Sequence, residues 1–175
     1  MFTEQFFDLL LDFGAEWRVI GVESNQSDEE VDIYVEYIGE QKVYDYAPQR
    51  RWRHLDTMQF KTFINSRLPR IKGEFGEVTT IVPPWADKHE RFTKLFESAV
   101  ISLLQATKNQ TQTANLMKCG FDVVNRIMYR ATERGLARRT EKGLIFKQLS
   151  IDEKSFQKGH HYATILSDPL GGRVL

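Results

Sequence analysis

Residues 110–134 read QTQTANLMKCGFDVVNRIMYRATER, and the spacing of their apolar positions decides the fold of the middle of the chain. From Gln110 to Lys118 a short helix places Ala114 and Met117 inward, Lys118-Cys119-Gly120 turns the chain, and from Phe121 to Arg134 the residues Val124, Ile127, Met128 and Ala131 recur at helical spacing. The other side of this last helix shows Asn125, Arg126, Tyr129, Arg130 and Arg134; Gly135 is its expected C-terminal stop, with Arg138-Arg139 as a basic tail. A small residue at 114, under the crossing of two helices joined by a tight turn, and two aliphatics at 124 and 127 beneath the second helix are the requirements of a helix-turn-helix. A plain three-helix bundle with a solvated basic face meets the same pattern.

Working outward, Phe92, Leu95, Phe96, Ala99, Val100, Leu103 and Leu104 form an apolar stripe that predicts a first helix from Arg91. Pro83-Pro84-Trp85 marks the boundary before it, because tandem prolines donate to no ladder and exclude the helical region from the preceding residue. Upstream, residues 3–12 read as a short helix with Thr3 as candidate N-cap. Runs at 17–23, 31–38, 42–46, 57–65 and 77–82 read as strands, with Val31, Ile33, Val35 and Tyr37 alternating against Asp32, Tyr34 and Glu36. These predict a small, mostly antiparallel sheet behind one helix. Downstream, Phe146–Ile151 and Tyr162–Leu166 read as strands, and Asp168-Pro169-Leu170-Gly171 as a type I turn. The fold class is α+β, divided as 1–86, 87–142 and 143–175, and the last segment is too short to close a core of its own.

With 175 residues and 41% hydrophobic composition the chain is long enough for a globular core, and neither a fibre nor wholesale disorder fits it. No run approaches the length of a spanning helix, and the N-terminal run lacks a basic flank, so a soluble protein is expected. The single cysteine, Cys119, excludes an internal disulfide and a four-thiolate zinc site and suggests a reducing, cytoplasmic setting. The 24 basic and 24 acidic residues cancel only in sum. Residues 1–40 hold eleven acids and one base, and residues 41–175 hold 13 acids and 23 bases. The excess concentrates in 41–72 and 91–140, a footprint of nucleic-acid binding or of a solvated basic face.

Tyr44 to His54 interleaves aromatics with arginines, so Arg50, Arg51 and Arg53 are candidate DNA contacts while Trp52 is expected in the core. Asp152 is the one carboxylate that ends a hydrophobic strand, the position from which two-metal phosphoryl transfer draws its ligands; a turn-forming aspartate looks the same. His160-His161 alternate across a strand and do not share a metal easily. No serine elbow, catalytic cysteine or phosphate loop is present.

Val43-Tyr44-Asp45-Tyr46-Ala47-Pro48, Arg51-Trp52-Arg53-His54-Leu55-Asp56, Val82-Pro83-Pro84-Trp85-Ala86, the stretch from Gln112-Thr113-Ala114 to Arg138-Arg139, and Ser150-Ile151-Asp152-Glu153-Lys154-Ser155-Phe156 with Lys158-Gly159-His160-His161-Tyr162 occur in the same order in the ISL-three group of bacterial insertion-sequence transposases, which the chain resembles from about Val31 onward. The resemblance implies a DDE transposase: a zinc ribbon, a helix-turn-helix that reads terminal inverted repeats, and an RNase H-like domain in which three acids hold two magnesium ions. It places Asp152 as the first of those acids; Glu153 and Asp168 receive no role.

Two departures bear on this. Gly39–Val43 and Ile71–Gly76 stand where paired cysteines are usual, which leaves a degenerate ribbon without thiols for zinc, and the second and third acids do not occur in the sequence. The expectation is therefore a truncated transposase, whose DNA-binding portion is involved in transposition without catalysing it alone and holds no cofactor as it stands; magnesium belongs to a complete catalytic domain. Its DNA contacts are expected from Arg50, Arg51, Arg53, Lys118, Asn125, Arg126, Tyr129, Arg130, Arg134, Arg138 and Arg139. Expected partners are double-stranded DNA, with full-length transposase or a second copy besides, and no membrane; the expected location is the bacterial cytoplasm, at the nucleoid. The rival readings are an active transposase completed by a longer frame or a second chain, and an interaction scaffold whose acidic first forty residues dock on a basic surface.

Overall fold

The computed structural model describes residues 2–140, 147–157 and 161–174. The chain divides into two compact units, Met1–Tyr129 and Arg130–Leu175.

In the first unit α1 (Phe2–Leu11) lays Phe7 on the core, and its Asp8 carboxylate accepts a hydrogen bond of 2.8 Å from the Val19 amide of the next strand. The strands β1 (Trp17–Asn25) and β2 (Glu30–Tyr37) form a hairpin in which Val31, Ile33, Val35 and Tyr37 are buried, as their alternation requires. The sequence predicts one mostly antiparallel sheet, and the structure has two. The larger has the order β1-β2-β5-β4, with β4 (Arg50–Arg53) antiparallel to β5 (Lys61–Ser66) and β5 parallel to β2. The smaller joins β3 (Val43–Tyr46), β6 (Pro69–Lys72) and β7 (Val78–Thr80). The reason lies in the connection between β2 and β5, which is long enough to carry β3 and β4 and so returns the chain in the parallel sense. Both β4 and β6 are short and arginine-bearing, and periodicity alone does not find them.

Trp85 closes the first core. Its ring stands edge-on to Trp17 at 4.8 Å and to Trp52 at 5.7 Å and meets Phe13 at 4.6 Å, so the proline pair delivers an aromatic plug to the sheet. Trp52 is fully buried, as expected. A second core gathers Phe92, Phe96, Val100, Ala114, Val124 and Ile127 among α2 (Lys94–Thr107), α3 (Gln110–Leu116) and α4 (Phe121–Thr140).

Three expectations need correction. Phe92 precedes α2 rather than lying in it, because Thr93 caps the helix with its hydroxyl on the Phe96 amide, and Leu95 falls off the face set by Phe96 and Val100 and is 58% exposed. Gly135 does not end α4, which runs on to Thr140. A glycine ends a helix when it takes the left-handed conformation, which Gly135 does not, and Leu136, Ala137 and the following arginines favour continuation. Asp152 does not end a strand. In the second unit β8 (Ser150–Gln157) continues five residues past it and pairs antiparallel with β9 (His161–Asp168), which turns into β10 (Arg173–Val174). Ladder pairing carries Glu153 to Ser155 through, although none is apolar. Phe146 and His160 lie outside the described residues.

Candidate nucleic-acid interface

The two helices that pattern analysis singled out are built by their caps. The Asn109 side chain accepts from the Gln112 amide at 3.0 Å and starts α3. Its C-terminus closes by two bonds, from the Cys119 amide to the Ala114 carbonyl at 3.0 Å and from the Lys118 amide to the Asn115 carbonyl at 3.2 Å, with Lys118 at φ 49°. The left-handed residue of the turn is thus a lysine. Gly120 is not held by a left-handed φ, and a Cβ there would displace only the end of the Asp122 side chain. Ala114 is 4% exposed, and Val124 and Ile127 are fully buried, so the small residue sits beside the two aliphatics in one core. The remaining face of α4 is open: Tyr129 is 60% exposed, Arg126 is exposed and Asn125 is half-buried.

Arg126 and Lys118 are turned toward the sheet side of the first unit. The Arg126 guanidinium lies 5.3 Å from the Phe92 ring, and the Lys118 ammonium donates to the Gln59 carbonyl at 2.8 Å and stands 3.7 Å from Asp56. Of the candidates in the second unit, Arg130 and Arg134 are half-buried and Arg138 is exposed, donating to the Arg134 carbonyl at 3.1 Å. The Arg139 side chain lies outside the described residues.

The three arginines of β4 hold protein. Arg50 donates to the Glu90 carbonyl at 2.7 Å, and burial, reinforced by nearby Arg91, lowers its pKa. Arg51 lies 3.4 Å over the Phe63 ring and forks onto both oxygens of Asp32 at 2.8 Å while reaching Glu30 at 2.8 Å; burial opposes its charge, and these bonds overcome that opposition and raise its pKa. The Arg53 side chain, 11% exposed, pairs with Asp56 and stands near the rings of Phe63 and Phe96. Two acids of the negative N-terminal region, Glu30 and Asp32, therefore already meet a base within the chain.

A seam joins the sheet to the helices. The Arg53 amide donates to the Arg91 carbonyl and the Thr93 amide donates to the Arg53 carbonyl, both at 2.9 Å, a parallel bridge that extends the sheet into the start of α2. Beside it the His54 Nδ1 lies 2.9 Å from the Thr93 hydroxyl, and burial, aided by the Arg53 charge, lowers the His54 pKa to about 4. His54 Nδ1 and the Thr93 hydroxyl share a hydrogen bond, and the hydroxyl also accepts from the Phe96 amide. Sequence reasoning passed over Thr93, although a threonine directly before an apolar helical run is a start signal.

On β8, Asp152 is exposed and pairs across the sheet with Ile165. The Asp168 carboxylate accepts from the Leu170 amide at 3.1 Å and shapes the following turn. Among the described residues no three His, Cys, Asp or Glu side chains gather in a metal-holding group, and no helix is long and apolar enough to cross a membrane.

Residues 81–132 match the family described as the helix-turn-helix domain of transposase family ISL3. Over 132 residues, 74% of this chain, the sequence is 29% identical to the transposase for insertion sequence element IS1557 of Mycobacterium tuberculosis, covering 29% of that protein. Over 91 residues, 52% of this chain, it is 32% identical to the transposase for insertion sequence element IS1001 of Bordetella parapertussis, covering 22% of it. The chain thus spans less than a third of the length of these relatives. No solved structure matches. The buried Ala114, Val124 and Ile127, the capped turn and these similarities lead to one conclusion: residues 81–132 form a helix-turn-helix of the transposase ISL3 type, in a chain similar over part of its length to insertion-sequence transposases.

Proposed function

We propose that the chain is the DNA-recognition part of an insertion-sequence transposase and reads the element's terminal inverted repeats with α4 in the major groove. The observation that carries this reading is the division of α4, whose Val124 and Ile127 are locked onto Ala114 while Asn125, Arg126 and Tyr129 are left outside the core. Arg130, Arg134, Arg138 and Arg139 continue the basic series along the same helix. The arginines of β4 act first on the sheet, and α4 is the principal reader. Its setting is the bacterial cytoplasm, at the nucleoid, with a second copy or a full-length transposase as companion.

The smaller sheet, β3-β6-β7, stands in this reading as a ribbon-like module without zinc. Gly39–Val43 and Ile71–Gly76, which run into and out of its strands, offer no thiol, while Trp17, Trp52 and Trp85 hold the larger sheet. The antiparallel β8-β9-β10 is read as the opening of an RNase H-like domain, with Asp152 as the first magnesium carboxylate. On the face that Asp152 shares, Ser150, Lys154, Ala163, Ile165 and Ser167 supply no second carboxylate. These residues do not by themselves fit a two-metal centre, and no catalytic step is assigned to them.

The test is selection by the chain from a random-centre duplex library. Enrichment of one motif, lost in Asn125→Ala and Tyr129→Ala and weakened by salt, is the expected result. Recovery of unselected sequence, with affinity indifferent to both substitutions, overturns it.

A further inference from the structure

By the α3–α4 turn the first unit holds a cleft of about 290 Å³, lined by Lys61 and Glu30 of the sheet, Arg91 and Phe92 before α2, Lys118 of the turn and Arg126 of α4. Its charges are unevenly satisfied. Glu30, the one acid of the lining, is bound by Arg51 at 2.8 Å. Of the cations, Arg53 pairs with Asp56 and Lys118 stands 3.7 Å from the same carboxylate. Among the described residues no carboxylate lies within ion-pair distance of Lys61, Arg91 or Arg126. Three cations from separate parts of the chain thus line one opening with no carboxylate paired to them, an arrangement whose mutual repulsion an anion relieves.

We propose that this cleft seats a backbone phosphodiester of duplex DNA beside the groove that α4 occupies, with Lys61 and Arg91 as phosphate contacts alongside Arg126. The proposal rests on the DNA-binding reading and deepens it: the sheet side takes part in binding through two cations at the seam, and not through the arginines that hold Asp32 and Asp56. A phosphodiester suits the site better than a free phosphate because the cations line an open seam and come from separate parts of the chain. Contacts of this kind position the protein without reading sequence.

The experiment titrates salt against binding of a labelled mixed-sequence duplex by the full chain and its Lys61→Ala, Arg91→Ala, Lys61→Arg and Tyr129→Ala variants, with unchanged melting temperature as the check on folding. Loss of one phosphate contact reduces the slope of log affinity against log salt by about 0.9, or ~8-fold in affinity at 0.1 M salt relative to 1 M. That reduction is expected of Lys61→Ala and of Arg91→Ala, with Lys61→Arg retaining the wild-type slope. If the wild type binds duplex and Tyr129→Ala weakens it while Lys61→Ala and Arg91→Ala change neither slope nor affinity, the cleft assignment falls and the α4 reading stands. If the wild type binds no duplex, both fall. If inorganic phosphate displaces duplex more strongly than chloride at equal ionic strength, the cleft is a free-anion site and the phosphodiester assignment is overturned.

Discussion

Acid should loosen the seam through His54. Its pKa is about 4 in the folded chain against 6.5 for the free side chain, so between those values the unfolded chain binds a proton that the folded chain refuses. Stability is therefore full well above pH 6.5, falls as pH is lowered toward 4, and levels off once pH is well below the folded pKa. With a pKa difference of that size, linkage gives a loss of about 2 kcal/mol at pH 5 and ~3 kcal/mol at pH 4. The group is 7% exposed, so solvent screening discounts little. For a chain of this length, 3 kcal/mol corresponds to roughly 6–12 °C in melting temperature. The assay compares thermal melts of wild type and His54→Gln across this range, which removes the carboxylates common to both, and follows the His54 ring protons by NMR. Parallel decline of the two proteins, or a ring that titrates near 6.5, would refute the reasoning.

Gly135→Ala should raise the melting temperature, by about 0.5–1 kcal/mol in stability, because an added Cβ meets nothing within 4 Å and the residue is helical; a decrease in a thermal melt would show that Gly135 holds a left-handed stop. Ile127→Ala should cost about 2–5 kcal/mol in a denaturant titration, as deletion from the fully buried second core, and a loss below 1 kcal/mol would mean that α4 is not packed as described. Thr93→Ala should cost about 1 kcal/mol for the lost cap, readable from thermal melts. Asp32→Asn should lower stability by about 1 kcal/mol, discounted because the Arg51 side chain is 40% exposed, and leave duplex affinity unchanged in an anisotropy titration; a rise in affinity would mean that freed Arg51 reaches DNA.

The helical segments were the most legible part of the fold, because a period of 3.6 residues repeats enough times in 94–134 to be unambiguous and Ala114, Val124 and Ile127 have one shared place to go. The β2 alternation was as clear, since it buries one face only. What escaped was non-local: β4 and β6 have four residues each and gain their identity from partners far along the chain, and the parallel pairing of β2 with β5 follows from a connection whose contents were unknown. Gly135 misled because a glycine near an expected end carries no mark of its φ. At the interface, sequence supplied cations without saying which were committed. Arg51 and Arg126 are alike in the string, and only the fold shows one locked onto Asp32 and the other beside a ring at an open cleft. Lys61 and Arg91 stand thirty residues apart and belong to no motif; their common cleft exists only after β5 and the start of α2 are brought together.

The bridge between Arg53 and Phe92 turns two potential modules into a single gauge. Beads on a string tolerate added base pairs between their half-sites, since slack takes up both the extra length and the extra rotation. Within the first unit no slack separates Lys61 and Arg91 from α4. Every base pair of a duplex carries its own phosphates, so a cation at a fixed offset from α4 meets a phosphate whatever the sequence between them. In the proposed reading the cleft therefore fixes the course of the duplex across α4, and sequences that resist that course bind less tightly although no base in them is touched.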